Sequence, residues 1–315
     1  MLLRNRRKPI SIAARAVIRA GKGHRYWSAF NPEKAQEIEN ISKELHQVLF
    51  EPEVQRPIKT LALPLGGSQG VRTALQILID FMLIASKNQN GSPKKISDYA
   101  DDSNGDLTIE SLRKSLKLAK RITGNDRGSL GLHPAVYFYG PTGRHSEPLF
   151  LGTVALFGNK LANNDQTFFQ KFTSIRAKLE SLLIENKDLI ATIMQKHTSN
   201  KRVEKYWSLL EDVVPLLLEG KDVSDSTLVS LSGLQGKIVT GNSSSNAQKF
   251  SEDAKSGAFI NVALSSAMLC PICGGYLDTE KSVSYDHVQR VRDGGIGSSE
   301  NCQLTHPYCN QSIKQ

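Results

Sequence analysis

The last 46 residues, Cys270 to Gln315, hold all four cysteines of the chain. Cys270-Pro-Ile-Cys273 is a turn of the kind that sets two thiolates on one metal ion. His306-Pro-Tyr-Cys309 repeats that spacing and completes a Cys3His set, suited to a structural zinc ion. Cys302 competes with His306 for the fourth place; it alternates with Leu304 and would otherwise face a small core. Between the two halves lies Asp286-His287. A carboxylate can hold a hard divalent cation through oxygen, and a neutral imidazole can take a proton from water near neutral pH. Asn301 and Asn310 each stand beside one of the cysteines. A clamp alone describes a binding module, whereas a clamp around an Asp-His pair describes a hydrolase.

Positioning these groups is demanding for so short a segment. About 65 residues with few large apolar side chains cannot build a sufficient core, so a metal staple is needed, and folding and metal binding are linked. Val283-Ser-Tyr-Asp-His-Val288 has the β-branched and aromatic character of a strand. Asp293-Gly294-Gly295 and Gly297-Ser-Ser predict a long loop after it. A regular strand would turn Asp286 and His287 to opposite sides, so loop curvature must bring them to one substrate. Only six residues follow Cys309. A closing helix there is little more than one turn, and it either packs against the rest of the chain or is loosely formed.

Cys270-Pro-Ile-Cys-Gly-Gly275, Tyr285-Asp-His-Val288 and Glu300-Asn-Cys-Gln-Leu-Thr-His-Pro-Tyr-Cys-Asn310 together resemble the zinc-containing HNH endonucleases, which fold as a β-hairpin and helix around one catalytic metal (the ββα-metal motif). The resemblance covers about the last 50 residues. It implies His287 as the general base, Asp286 and Asn310 as ligands of a catalytic Mg2+ or other divalent ion, and Asn301 as the residue that keeps His287 aimed. Cys270, Cys273, His306 and Cys309 would be the zinc ligands. Asn310 stands where many members carry histidine. Arg290 and Arg292 are candidates for phosphate contact or plain loop charges. Fainter similarity of Ser129–Tyr139, the Phe-rich helix and Glu185–Ile190 to bacterial restriction and anti-phage HNH proteins implies a defence role.

The preceding residues read as mainly helical. Periodic apolar residues predict helices from Asn31-Pro32 to Phe50, over 71–86, from an N-cap at Thr108 to Ile122, and over 167–184, 187–196 and 203–218. A further helix capped by Ser251 runs to about Met268. Val136–Tyr139 reads as a short strand. Residues 1–25 carry eight basic side chains and read either as an arm that neutralises phosphates or as a solvated terminus. Gly241-Asn-Ser-Ser-Ser-Asn246 reads as a linker. The expected organisation is therefore a mostly helical regulatory or partner-binding region, 1–245, and an endonuclease domain, 250–315. The fold class is a mainly α region plus a small α+β, zinc-stapled ββα-metal domain.

The whole chain agrees with that expectation. Its formal net charge of +9 suits a polyanionic partner. Clustered cysteines at metal spacing predict reduced thiolates and a cytoplasmic protein. No secretory apolar core follows the basic N-terminus, and the most apolar window, Ala74–Ala85, carries Asp80 and is too short to span a bilayer. The expected activity is metal-dependent hydrolysis of DNA phosphodiesters, with RNA left open and a partner protein on the helical region. The alternatives are a non-catalytic zinc-ribbon nucleic-acid-binding module and a scaffold protein.

Overall fold

The computed structural model describes residues 7–20, 30–67, 70–86, 95–238 and 249–314. In chain order the helices are α1 (Pro9–Ala20), α2 (Pro32–Phe50), α3 (Val71–Ala85), α4 (Asp106–Ile122), α5 (Pro134–Tyr137), α6 (Glu147–Ala162), α7 (Gln166–Glu185), α8 (Lys187–Lys196), α9 (Arg202–Leu218), α10 (Asp225–Leu231) and α11 (Glu252–Ser265). Two strands follow, β1 (Ser284–His287) and β2 (Cys302–Thr305), and then a wide helical turn, Cys309–Ile313. The mainly α region and the small hairpin module match the expected fold class. No helix among the described residues is long and apolar enough to cross a membrane.

The chain divides into two compact units. One comprises Met1–Val54, Leu63–Lys120 and Val154–Asp165; the other comprises Gln55–Ala62, Arg121–Thr153 and Gln166–Gln315. In the first, α1 packs on α2 and α3. Alanines at 13, 14 and 16, fully buried beside Ile10 and Val17, let those helices approach closely. This corrects the expectation of a solvated terminus: residues 9–20 are a packed helix. Residues 1–6 and 21–29 of that segment lie outside the described residues. Asn31 caps α2 as its sequence predicts, its side chain accepting from the Lys34 N–H at 2.9 Å.

Two local expectations give way to side-chain chemistry. α4 starts at Asp106, and Thr108 lies within its first turn. The Asp102 carboxylate accepts from the Gly105 and Thr108 N–H groups at 2.8 Å each and from the Thr108 hydroxyl at 2.6 Å. A carboxylate four residues before the helix thus serves its free N–H groups. Val136–Tyr139 is no strand either: α5 opens on Pro134, and His133 Nδ1 accepts from the Ala135 N–H. The buried Lys187 ammonium then donates to the carbonyls of Ala135, Val136 and Tyr139 at 2.7–3.2 Å, which fixes the helical turn. The expected linker at 241–246 lies outside the described residues.

The second unit carries the site. α7 packs on α5 and α9, and α8 on α9. α11, capped by Ser251, ends at Ser265 rather than at Met268. Asp253 on α11 pairs with Arg56 and Arg144, and Ser256 Oγ accepts from the Ile58 N–H. The helix that leads into Cys270 is therefore held at its beginning. β1 and β2 pair antiparallel with Asp286 opposite Gln303 and His287 opposite Cys302.

Candidate metal centre and active site

The Cys270–Cys273 turn is closed by its own backbone. Cys270 N–H donates to Gly275 O and Gly274 N–H to Cys270 O, both at 2.8 Å, and Gly275 N–H points at Cys273 Sγ. Gly275 has no room for a side chain, since a Cβ there would stand 2.5 Å from Arg176 Nε. The second half arrives on β2 and the terminal turn. The ligand atoms of Cys270, Cys273, His306 and Cys309 all lie within 4.8 Å of one another, and all four residues are buried. His306 Nδ1 is 3.4 Å from Cys273 Sγ and 3.8 Å from Cys309 Sγ. Bonds of about 2.1–2.3 Å to a tetrahedral zinc ion require ligand separations of roughly 3.5–3.8 Å, so these residues fit zinc. Cys302 is exposed on β2 and stands outside the cluster.

Electrostatics prepare the clamp. His306 Nε2 lies 3.0 Å from the Tyr276 carbonyl, an acceptor, so Nε2 carries the proton and Nδ1 presents its lone pair to the metal. Burial, with Arg176 nearby, holds His306 below its ordinary pKa and therefore neutral. Hydrogen bonding from Cys273 and Cys309 holds Cys270 down as the thiolate, and the hydrogen bond that Cys273 makes to Cys270 pushes the Cys273 thiol up to about 11. Zinc would displace such shared protons.

A buried network of residues that sequence reasoning missed surrounds this cluster. Arg176 and Glu180 on α7 are 2% and 0% exposed, and pair at 2.7 Å. Arg176 also donates to the carbonyls of Leu130 and Gly131. Glu180 accepts from the Tyr137 hydroxyl at 2.9 Å and from the Tyr276 N–H at 2.6 Å. Burial opposes the charge on Arg176, but Glu180 outweighs it and keeps the guanidinium's pKa above its ordinary value. The terminal turn is held in the same way: Tyr308 N–H donates to Ser129 O, and the Arg121 guanidinium lies between the rings of Phe169 and Tyr308. The short closing helix thus packs against the rest of its unit. The signal was present in α7, where positions 176 and 180 fall on the same face as Phe169, Phe172 and Leu183.

Asp286 and His287 both line a cavity of about 340 Å³, together with Tyr285, Gly297, Ser298, Ser299, Asn301 and Cys302. Asp286 Oδ2 accepts from Gln303 Nε2 at 2.8 Å and from Lys314 Nζ at 2.7 Å; the Lys314 ammonium also donates to the His287 carbonyl. A carboxylate is a hard oxygen donor and could hold a divalent ion; here its Oδ2 is engaged by one cation and one amide donor. Asn310 is not among the lining residues. Its amide donates to Ser284 Oγ at 2.8 Å and to Tyr285 O at 3.1 Å, while its N–H bonds to His306 O. Asn301 ties the loop after His287: its Oδ1 accepts from the Gln289 N–H at 2.6 Å, and its amide donates to Gln289 O and Ile296 O. Arg290 begins that loop. Arg292 is two-thirds exposed and 4.0 Å from the Asp293 carboxylate.

No curated protein and no solved structure matches the chain. A family model does match its C-terminal segment. Residues 270–315, the clamp, the hairpin and the terminal turn, match the HNH endonuclease family model.

Proposed function

We propose that this protein is a divalent-metal-dependent endonuclease that hydrolyses DNA phosphodiesters at the Asp286–His287 face. One observation above all supports the reading: Asp286 and His287 line a single cavity on a hairpin whose β2 strand runs directly into the zinc clamp. His287 takes a proton from water, whose oxygen attacks phosphorus as the bond to the 3′ oxygen breaks, leaving a 5′ phosphate. A divalent ion held by Asp286 and Asn310 would stabilise charge on the phosphate and on the departing oxygen. Asn301 positions the backbone next to His287 through Gln289. Arg290 and Arg292 contact the phosphate backbone, an arrangement that makes affinity depend steeply on salt.

Residues 1–245 take the regulatory or partner-binding role in this proposal, and residues 250–315 the nuclease role. A role in bacterial defence is part of the proposal, resting on the faint resemblance of the segments near Ser129–Tyr139 and Glu185–Ile190 to restriction and anti-phage proteins. The test uses the zinc-loaded full chain with supercoiled plasmid and with a structured RNA, each with Mg2+ or Mn2+. DNA nicking that is lost in Asp286→Ala and in Asn310→Ala supports the proposal. Binding without cleavage would favour a zinc-stapled binding module instead.

A further inference from the structure

The site contains its own cation. Lys314 lies four residues after Asn310, one helical turn on, and returns its ammonium to the hairpin. Nζ is 2.7 Å from Asp286 Oδ2, and it also donates to the His287 carbonyl. The pair is shielded, with the lysine side chain 18% and the carboxylate 10% exposed. Gln303 Nε2 occupies a further lone-pair direction of the same oxygen. An ammonium so placed satisfies the carboxylate and neutralises it. It does this on the very group that the proposed mechanism assigns to a divalent ion.

We infer that Lys314 is a built-in competitor for the catalytic cation: its ammonium holds Asp286 in the metal-free protein and must swing away before a divalent ion can bind. This inference rests on the assignment of Asp286 as a metal ligand. Its physical basis is that two cations cannot share one carboxylate oxygen at contact distance without strong repulsion. The lysine stem has four rotatable bonds, so the ammonium can leave the carboxylate without rearrangement of the hairpin. The consequence is a threshold: the site stays empty at low divalent-ion concentration and fills only when the ion outcompetes a tethered ammonium. The tethered charge also keeps the Asp286 carboxylate in place before the ion arrives.

The experiment is calorimetric titration of the zinc-loaded full chain with Mn2+, checked by the Mn2+ electron paramagnetic resonance signal, so that no cleavage is needed. Lys314→Met is expected to bind Mn2+ about tenfold more tightly than wild type, the fold-change that losing a partly shielded ion pair of about 1.4 kcal/mol gives. Lys314→Arg, which keeps the charge, is expected to bind like wild type. Lys196→Gln, an exposed charge at the end of α8, controls for net charge and is expected to change affinity little. Mn2+ affinity that is unchanged in Lys314→Met, or that rises equally in Lys196→Gln, overturns the inference while leaving Asp286 as a ligand. An Asp286→Asn protein that binds Mn2+ as wild type does would remove the metal assignment itself, and the inference with it.

Discussion

The two ends of the C-terminal module are built on opposite principles. At the clamp end Cys270 and His306 are fully buried and Cys309 is 1% exposed; beneath them lies an ion pair with less than 3% exposure, tied to four further groups. At the Asp286–His287 end Tyr285, Val288, Val291 and Ile296 are more than half exposed. The order there comes from a few hydrogen bonds made by Asn301, Asn310 and Lys314. The lesson is a division of labour. Rigidity is concentrated where a metal ion and buried charge can hold a short chain, and the face proposed to admit a nucleic acid is left open around the hairpin.

Removal of zinc is the strongest test of that division. In Cys273→Ser, or in wild type stripped by chelator, about 10 kcal/mol or more of binding energy is withdrawn from the fold. Amide-exchange protection is expected to vanish across 270–314 while α1–α4 keep theirs. Retained protection across the hairpin would show that the clamp does not hold it. Next is Arg176→Met, which leaves Glu180 charged and buried without its partner. That change should cost about 3–5 kcal/mol in denaturant unfolding and speed zinc loss to a chelator.

Acid should also act at the clamp end. Burial, then Lys187 and Arg176, lowers the pKa of His133 to about 3. The unfolded chain therefore takes up this proton first, and the stabilisation present above about pH 6.5 is lost as the pH falls toward 3. The contribution is on the order of 4 kcal/mol. His133→Asn keeps a side-chain acceptor for the Ala135 N–H, so its stability should fall less steeply with acid than that of wild type in parallel urea melts. The smallest effect on stability belongs to the open end. Asn301→Ala removes three hydrogen bonds from a surface loop, worth about 1–2 kcal/mol in melting, while cleavage drops at least about tenfold if the loop aims His287. An equal loss in both would make Asn301 a stability residue only.

Much of this division could be read from the residues. Ligand spacing located the clamp and chose His306 over Cys302, since zinc chemistry acts through types and intervals that sequence displays directly. Helices α2, α3, α4, α7, α8 and α9 followed their apolar period, with α2 beginning at its Asn31-Pro32 signal, whereas α6 and α10 were not foreseen. What escaped was set by contacts distant in sequence. Arg176 and Glu180 look like ordinary charges on an apolar helix until the carbonyls of Leu130 and Gly131 and the N–H of Tyr276 are brought to them. The basic character of residues 1–25 hid the buried stripe of α1, because its three buried alanines carry little hydrophobic signal yet pack tightly. At Val136–Tyr139 the β-branched and aromatic composition was overridden by Pro134 and by the Lys187 ammonium. Lys314 gave no warning, since a lysine near a chain end reads as solvated charge.

The central claim is that an open face on a zinc-held hairpin performs chemistry through His287. Plasmid nicking by wild type and by His287→Ala, both zinc-loaded and with identical circular dichroism, tests it most directly. Loss of a general base should reduce the rate at least about 100-fold in Mg2+ or Mn2+. Equal nicking by the two proteins would contradict the account.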